Sequence, residues 1–245
     1  MCELFGMSAS TAVTARESLT EFRRRGGLAA DNPDGWGIAW RENGAFHLTK
    51  EPLPACESAL FAELCASLHS DLVVAHVRKA RFPPVNSLGN THPFQSVCCG
   101  KTWIFAHNGL VPDIVEIELA NDRPVCRPEG ETDSEYAFCH LLSHLAENSA
   151  ADGAAPFAGL AAVSELVAAH GKFNFLMSDG EHLIAYGHDR LHYLEQATPR
   201  ESVMIATEPL SGGANWAPFR PGELRIYRQG RIVGRIPVNS EEALA

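Results

Sequence analysis

Short apolar runs rich in Val, Ile and aromatic residues recur along the chain, each closed by Gly, Pro, Asn or Asp, and this punctuation is that of strands. It predicts strands over Cys2–Met7, Gly35–Trp40, Phe46–Lys50, Leu72–Val77, Thr102–His107, Phe173–Met177, Leu183–Tyr186 and Val203–Ala206. A closing pair, Leu224–Tyr227 and Ile232–Ile236, is joined by Arg228-Gln229-Gly230-Arg231 as a hairpin. Helical spacing runs from Glu57 to Leu68, from Phe157 to Ala169, and from Ser134 to Leu145, where Ala137, Phe138, Leu141, Leu142 and Leu145 share one face. Another helical pattern, Glu17–Phe22, runs into Arg23-Arg24-Arg25 and stops at Gly26-Gly27; the arginines read as a solvated end beside the negative pole of the helix dipole. Strands in groups with helices between them predict a sheet-rich α+β fold covered by helices. The small-residue stretch Ser149–Pro156 reads as a loop between two helices.

The 245 residues are within the size of one hydrophobic core, so a single domain over 1–245 is expected. Thirty acidic against 20 basic residues give a net charge of -10, which disfavours nucleic acid as a partner. No run approaches the roughly 18 to 20 apolar residues of a membrane span, and the start MCELFGMSAS lacks the charged and apolar regions of a leader. A soluble, cytoplasmic protein is expected, with no membrane partner. The seven cysteines are odd in number and contain no C-x-x-C, which favours reduced thiols in a reducing compartment. The eleven histidines show no H-E-x-x-H or paired Cys/His spacing, so no metal is expected.

Four segments carry candidate chemistry. Cys2, once Met1 is removed, would present a thiol and an α-amine on one residue; an amine with a pKa near about 8 can take the thiol proton without a histidine. The same position also suits a small buried hydrophobe opening a strand. Ala106-His107-Asn108-Gly109 is a turn signal at a strand end, yet the Asn108 amide and the Gly109 N–H are neighbouring donors of the kind that hold an oxyanion. Arg78 ends an apolar strand, as a salt-bridge residue or as a bidentate grip on a carboxylate. In Gly130-Glu131-Thr132-Asp133-Ser134-Glu135, Thr132 and Glu135 have capping-box spacing, and Asp133 falls in the first helical turn.

Cys2 with Gly6, Asp34-Gly35-Trp36-Gly37, Arg78, Asn90-Thr91-His92-Pro93-Phe94, His107-Asn108-Gly109 and Glu131-Thr132-Asp133-Ser134-Glu135 occur in an order that resembles the class II glutamine amidotransferases, and within them the small stand-alone YafJ-like branch. Phe173-Asn174, Ser178-Asp179-Gly180 and Ala206-Thr207-Glu208-Pro209-Leu210 extend the resemblance, which covers residues 2–210 and leaves a hairpin and tail in 211–245. It implies a four-layer αββα sandwich of two antiparallel sheets between helices, the N-terminal-nucleophile hydrolase type. It also implies that Cys2 attacks a glutamine γ-amide while Asn108 and Gly109 hold the oxyanion, that Arg78 binds the α-carboxylate and Asp133 the α-ammonium, that His92 positions the substrate, and that no cofactor is needed. In the glucosamine-phosphate-synthase branch the arginine is followed by Trp-Ala-Thr-His; here Lys79-Ala80-Arg81-Phe82 follows, so the carboxylate pocket must be completed differently.

The tail after Leu210 reads only as a hairpin, so no synthase domain to consume ammonia is expected. A glutaminase that feeds a separate ammonia-acceptor protein, a hydrolase of γ-glutamyl peptides or thiol conjugates, and a non-catalytic γ-glutamyl-binding or partner-binding domain all fit the sequence. Arg81–Asn90, with two prolines and a glycine, is the segment expected to move.

Overall fold

The computed structural model describes residues 1–149, 156–210 and 215–237. In chain order the elements are β1 (Glu3–Thr14), α1 (Arg16–Arg25), β2 (Trp36–Glu42), β3 (Ala45–Glu51), α2 (Ala59–Ser67), β4 (His69–Val77), β5 (Phe94–Cys98), β6 (Lys101–Leu110), α3 (Ile114–Leu119), α4 (Asp133–Ser149), α5 (Pro156–Ala168), β7 (Lys172–Ser178), β8 (His182–Gly187), β9 (His192–Gln196), β10 (Ser202–Ala206), β11 (Ala217–Pro218), β12 (Glu223–Arg228) and β13 (Arg231–Ile236). The strands form a seven-stranded sheet in the order β11-β9-β10-β1-β4-β2-β3 and a six-stranded sheet in the order β13-β12-β8-β7-β6-β5. Neighbours pair antiparallel throughout, from β1 with β10 and β4 to β7 with β8.

Three apolar layers hold these sheets. Phe5, Ile38, Val73 and Ala75 point from the first sheet onto Leu19 and Phe22 of α1 and Phe61 of α2. Leu4, Val74, Ile104, Ala106, Leu176 and Leu183 meet between the sheets. Phe105, Phe173 and Phe175 point from the second sheet onto Phe138 and Leu142 of α4 and Leu160 of α5. Central strands are therefore buried on both faces, so they read as continuous apolar runs rather than alternating ones. The result is the expected α+β, four-layer αββα arrangement.

Every strand and helix read from the apolar runs is present, with ends shifted by a few residues. β1 runs on to Thr14 because Val13 and Thr14 resume pairing with β4 after an irregularity. β5, β9, β11 and α3 carry no comparable signal: β5 and β9 interleave polar residues, β11 has two residues and α3 has six. Residues 150–155 of the expected inter-helix loop lie outside the described residues.

Two expectations are corrected. The arginines ending α1 are not all solvated: Arg25 pairs with Glu3 at 2.8 Å and donates to the Pro209 carbonyl at 2.7 Å, and Arg23 donates to the Cys56 carbonyl at 2.6 Å. α1 packs on the first sheet, so its C-terminal cations meet chain carbonyls before they meet water. The cysteines are not all free thiols either, because Cys126 and Cys139 form a disulfide with 5.3 Å between their Cα atoms, tying the segment before α4 to that helix. Cys2, Cys56, Cys65, Cys98 and Cys99 are free. No helix among the described residues is long and apolar enough to cross a membrane.

Candidate active site

Cys2 immediately precedes β1, which lies between β10 and β4 in the first sheet. Its half-buried Sγ accepts the Lys79 N–H at 3.2 Å and faces the Lys79 carbonyl at 3.4 Å, so the end of β4 holds the thiol. Burial pushes the thiol pKa up, while the Lys79 N–H, the N-terminal ammonium and Arg78 pull it down less strongly.

Arg78 follows β4 and is 7% exposed. Its Nη1 donates to the Asp34 carbonyl at 3.3 Å, the Val85 carbonyl at 3.1 Å and Asn86 Oδ1 at 3.1 Å. Asp34 fixes the chain on either side of Arg78, donating its N–H to the Arg78 carbonyl at 3.0 Å and accepting the Ala80 N–H at 2.8 Å. The 81–90 segment is thereby tied to the Arg78 side chain, and it is tied again where Asn90 Oδ1 accepts the Glu131 N–H at 2.8 Å.

Asn108 reaches the site from β6 of the other sheet. Its Nδ2 donates to the Cys2 carbonyl and, at 3.2 Å, to Thr207 Oγ1. A carbonyl can only accept, so this contact fixes which end of the amide faces Cys2. Thr207 Oγ1 also accepts the Leu4 N–H at 2.9 Å, which binds β1 and Asn108 to one hydroxyl. A Cβ at Gly109 would stand 1.8 Å from the Lys172 carbonyl oxygen, so no larger residue fits there without moving β7.

Asp133 opens α4. Its Oδ2 accepts the Val111 N–H at 2.8 Å and its Oδ1 the Ser134 N–H at 3.0 Å. The capping box is half realised: Thr132 Oγ1 accepts the Glu135 N–H at 3.3 Å, but the Glu135 carboxylate takes the N–H groups of Glu129 and Gly130, at 3.0 and 2.8 Å.

His92 is 3% exposed, stacks on His76 with ring centroids 4.2 Å apart, and has no hydrogen-bond partner on either ring nitrogen. Its carbonyl oxygen would lie 2.3 Å from a Cβ at Gly37, the second glycine the site requires. Burial, with His76, His107, Arg78 and Lys50 adding repulsion, holds its pKa far below the usual histidine value. Burial likewise lowers His107, and takes His76 down to about 3. All three rings are neutral at neutral pH. His107 Nε2 meets the Lys172 carbonyl at 3.1 Å and so carries the proton, leaving Nδ1 to accept from Ser134 Oγ at 2.8 Å.

Cys2, Arg78, His92, Asn108, Gly109 and Asp133 all line one cavity of about 640 Å³. Sequence reading assigned nothing to Thr207, Asn174, Ser134 or Lys172, which build or line this site; Phe173-Asn174 and Ala206-Thr207 were legible only as phrases. Among the described residues, no group of three or more His, Cys, Asp or Glu side chains is placed to hold a metal ion.

The family model for class II glutamine amidotransferases matches residues 1–203. The chain belongs to that family. Among its class II relatives, the putative glutamine amidotransferase YafJ of Escherichia coli is 36% identical, over 95% of this chain and 100% of that protein. The gamma-glutamyl-hercynylcysteine sulfoxide hydrolase of Mycobacterium tuberculosis is 26% identical, over 82% of this chain and 76% of that one. A crystal structure of a predicted glutamine amidotransferase from Pseudomonas aeruginosa superposes with a TM-score of 0.70 at 29% identity, covering 95% of this chain and 100% of that one. The glutamine phosphoribosylpyrophosphate amidotransferase of B. subtilis shares the fold, with a TM-score of 0.69 at 14% identity over 98% of this chain and 50% of that one.

Proposed function

We propose that this class II amidotransferase domain, spanning 1–245, hydrolyses γ-glutamyl amides through Cys2, with glutamine as the simplest substrate. The observation that carries the reading is the convergence of a thiol, an Asn-Gly donor pair, a guanidinium and a carboxylate on one cavity. After Met1 is removed, the Cys2 amine takes the thiol proton and the sulfur attacks the γ-carbonyl carbon. The oxyanion is held by the Gly109 N–H and by the Asn108 amide, which exchanges one of its present acceptors for it. As the C–N bond breaks, the proton passes from the Cys2 ammonium to the leaving nitrogen and ammonia departs. Water then cleaves the γ-glutamyl thioester, giving glutamate and the free thiol. Arg78 and Asp133 supply the opposite charges that a free α-amino acid head group requires, and the neutral His92 ring bounds the site.

One observation favours a larger substrate than glutamine. A cavity of about 640 Å³ is in the range of about 300–1,000 Å³ typical of sites for drug-sized ligands, which leaves room for a γ-glutamyl peptide or thiol conjugate beyond the scissile bond. The Mycobacterium tuberculosis relative is named for a reaction of that type. For glutamine itself, the ammonia released would go to solvent or to a separate acceptor protein.

The test is glutamate release from glutamine, γ-glutamyl peptides and glutathione, by a tagless preparation whose intact mass shows Met1 removed. The comparison of kcat/KM ranks the two substrate classes. Cys2→Ala should abolish turnover and leave the fold intact. Full activity in that variant would sink the mechanism.

A further inference from the structure

The donor pair has a second support behind it that the mechanism above does not use. Asn174, on β7 beside Asn108, is 1% exposed and spends its whole side chain on hydrogen bonds. Its Oδ1 accepts the N–H groups of His188, Asp189 and Arg190 at 2.8, 3.0 and 3.1 Å. Its Nδ2 donates to Asp189 Oδ1 at 2.8 Å and to the main-chain carbonyl of Asn108 at 3.2 Å. Three N–H groups on one side and two pure acceptors on the other allow the amide only this orientation.

The carbonyl of Asn108 and the N–H of Gly109 belong to the same peptide unit. That unit is planar and trans, so its N–H points opposite to its C=O. A donor fixed behind the Asn108 oxygen therefore sets the direction of the Gly109 N–H, and polarises it through the peptide. Asn174 is in turn held by Asp189, whose other oxygen pairs with Lys172 at 2.9 Å.

The geometry points to Asn174 as a positioning residue for catalysis: through the Asn108 carbonyl it aims the Gly109 N–H at the oxyanion. This rests on the proposed γ-glutamyl hydrolysis. A purely structural Asn174 would only gather residues 188–190, and the two roles use opposite ends of the amide.

Asn174→Asp combined with Asp189→Asn separates them. The new carboxylate still accepts the three N–H groups, and the Asn at 189 donates to it, but the Asn108 carbonyl loses its side-chain donor and faces an oxygen. Measured against Asp189→Asn alone, kcat on the best substrate should fall about 10- to 100-fold, the scale of a misplaced catalytic group. KM should stay within about twofold and Tm within about 3 °C, since ground-state contacts and the loop anchor remain. An unchanged kcat, or a loss confined to Tm, overturns the inference.

Two readouts are independent of activity. In the ¹H–¹⁵N spectrum the Gly109 amide should shift while those of residues 188–190 stay near their places; an unmoved Gly109 amide overturns the inference. In the wild type, a through-hydrogen-bond coupling from Asn174 Nδ2 to the Asn108 carbonyl carbon should be present, which tests the contact even if the double variant fails to fold; its absence overturns the inference. A wild-type protein with Met1 removed that turns over no γ-glutamyl amide defeats the proposed function, and the Gly109 shift then decides the positioning role alone.

Discussion

Arg25 and Glu3 form an ion pair of 2.8 Å in which the guanidinium side chain is 14% and the carboxylate side chain 8% exposed. It ties the last turn of α1 to the residue beside Cys2. Arg25 also donates to the carbonyls of Glu208 and Pro209, so the first strand and the loop after β10 share one cation. Removing one partner of a nearly buried pair leaves the other charge desolvated and unpaired. Arg25→Met should cost about 3 kcal/mol of folding stability, measured by urea unfolding, and the further change Glu3→Met should recover part of the loss. A midpoint equal to that of the wild type would contradict the burial of this pair.

With Met1 attached, burial holds the Cys2 thiol pKa above the ordinary 9.0. For that unprocessed chain, alkylation of Cys2 by iodoacetamide should still be accelerating at pH 9, because the thiolate is the reacting form. Mass spectrometry of the Cys2 peptide against pH gives the profile. A plateau reached below pH 8 would show a lowered pKa.

Asp133 accepts the Val111 N–H through Oδ2, and an Asn can keep that bond with its one oxygen. Its NH2 would then face the Ser134 N–H that Oδ1 now accepts, so Asp133→Asn should fold with a modest loss of Tm while losing the negative charge offered to a substrate ammonium. A contact present in both ground and transition states affects binding, so KM should rise about 10-fold or more with kcat little changed. An unaltered KM would remove Asp133 from the substrate site.

His76, His92 and His107 all have native pKa values below the ordinary 6.5 because burial penalises the imidazolium. Below pH 6.5 the unfolded chain takes up protons on these residues that the native state refuses, so stability falls with falling pH. His76, taken down to about 3, contributes about 1.4 kcal/mol per pH unit in that window, and His92 and His107 add to the loss in the same direction. The loss should begin near pH 6.5, above the range where carboxylates titrate, and His76→Phe should flatten the slope by about one proton's worth in urea midpoints from pH 4.5 to 7. A stability flat over that range would contradict neutral burial.

The apolar runs determined the main strands and helices and the α+β class, while the order of chemistry-bearing segments carried the resemblance that implied the family, the αββα layering and the six residues that meet at the cavity. Local physics is enough for the elements: strands buried on both faces announce themselves as unbroken apolar runs, and the Asn108-Gly109 and Thr132–Glu135 signatures are short-range. The sequence also misdirected, since Arg23 and Arg25 read as a solvated helix end and the cysteines as free thiols. Whether a cation at a helix end meets water or the carbonyls of a neighbouring loop depends on what packs there, and so does the approach of Cys126 to Cys139. Tertiary structure alone decided that Thr207 grips both Leu4 and Asn108, and that Asn174 backs the Asn108 peptide. Those partners lie far apart along the chain and on different strands. A hydrogen bond between them depends on strand register and sheet stacking, which no local pattern encodes.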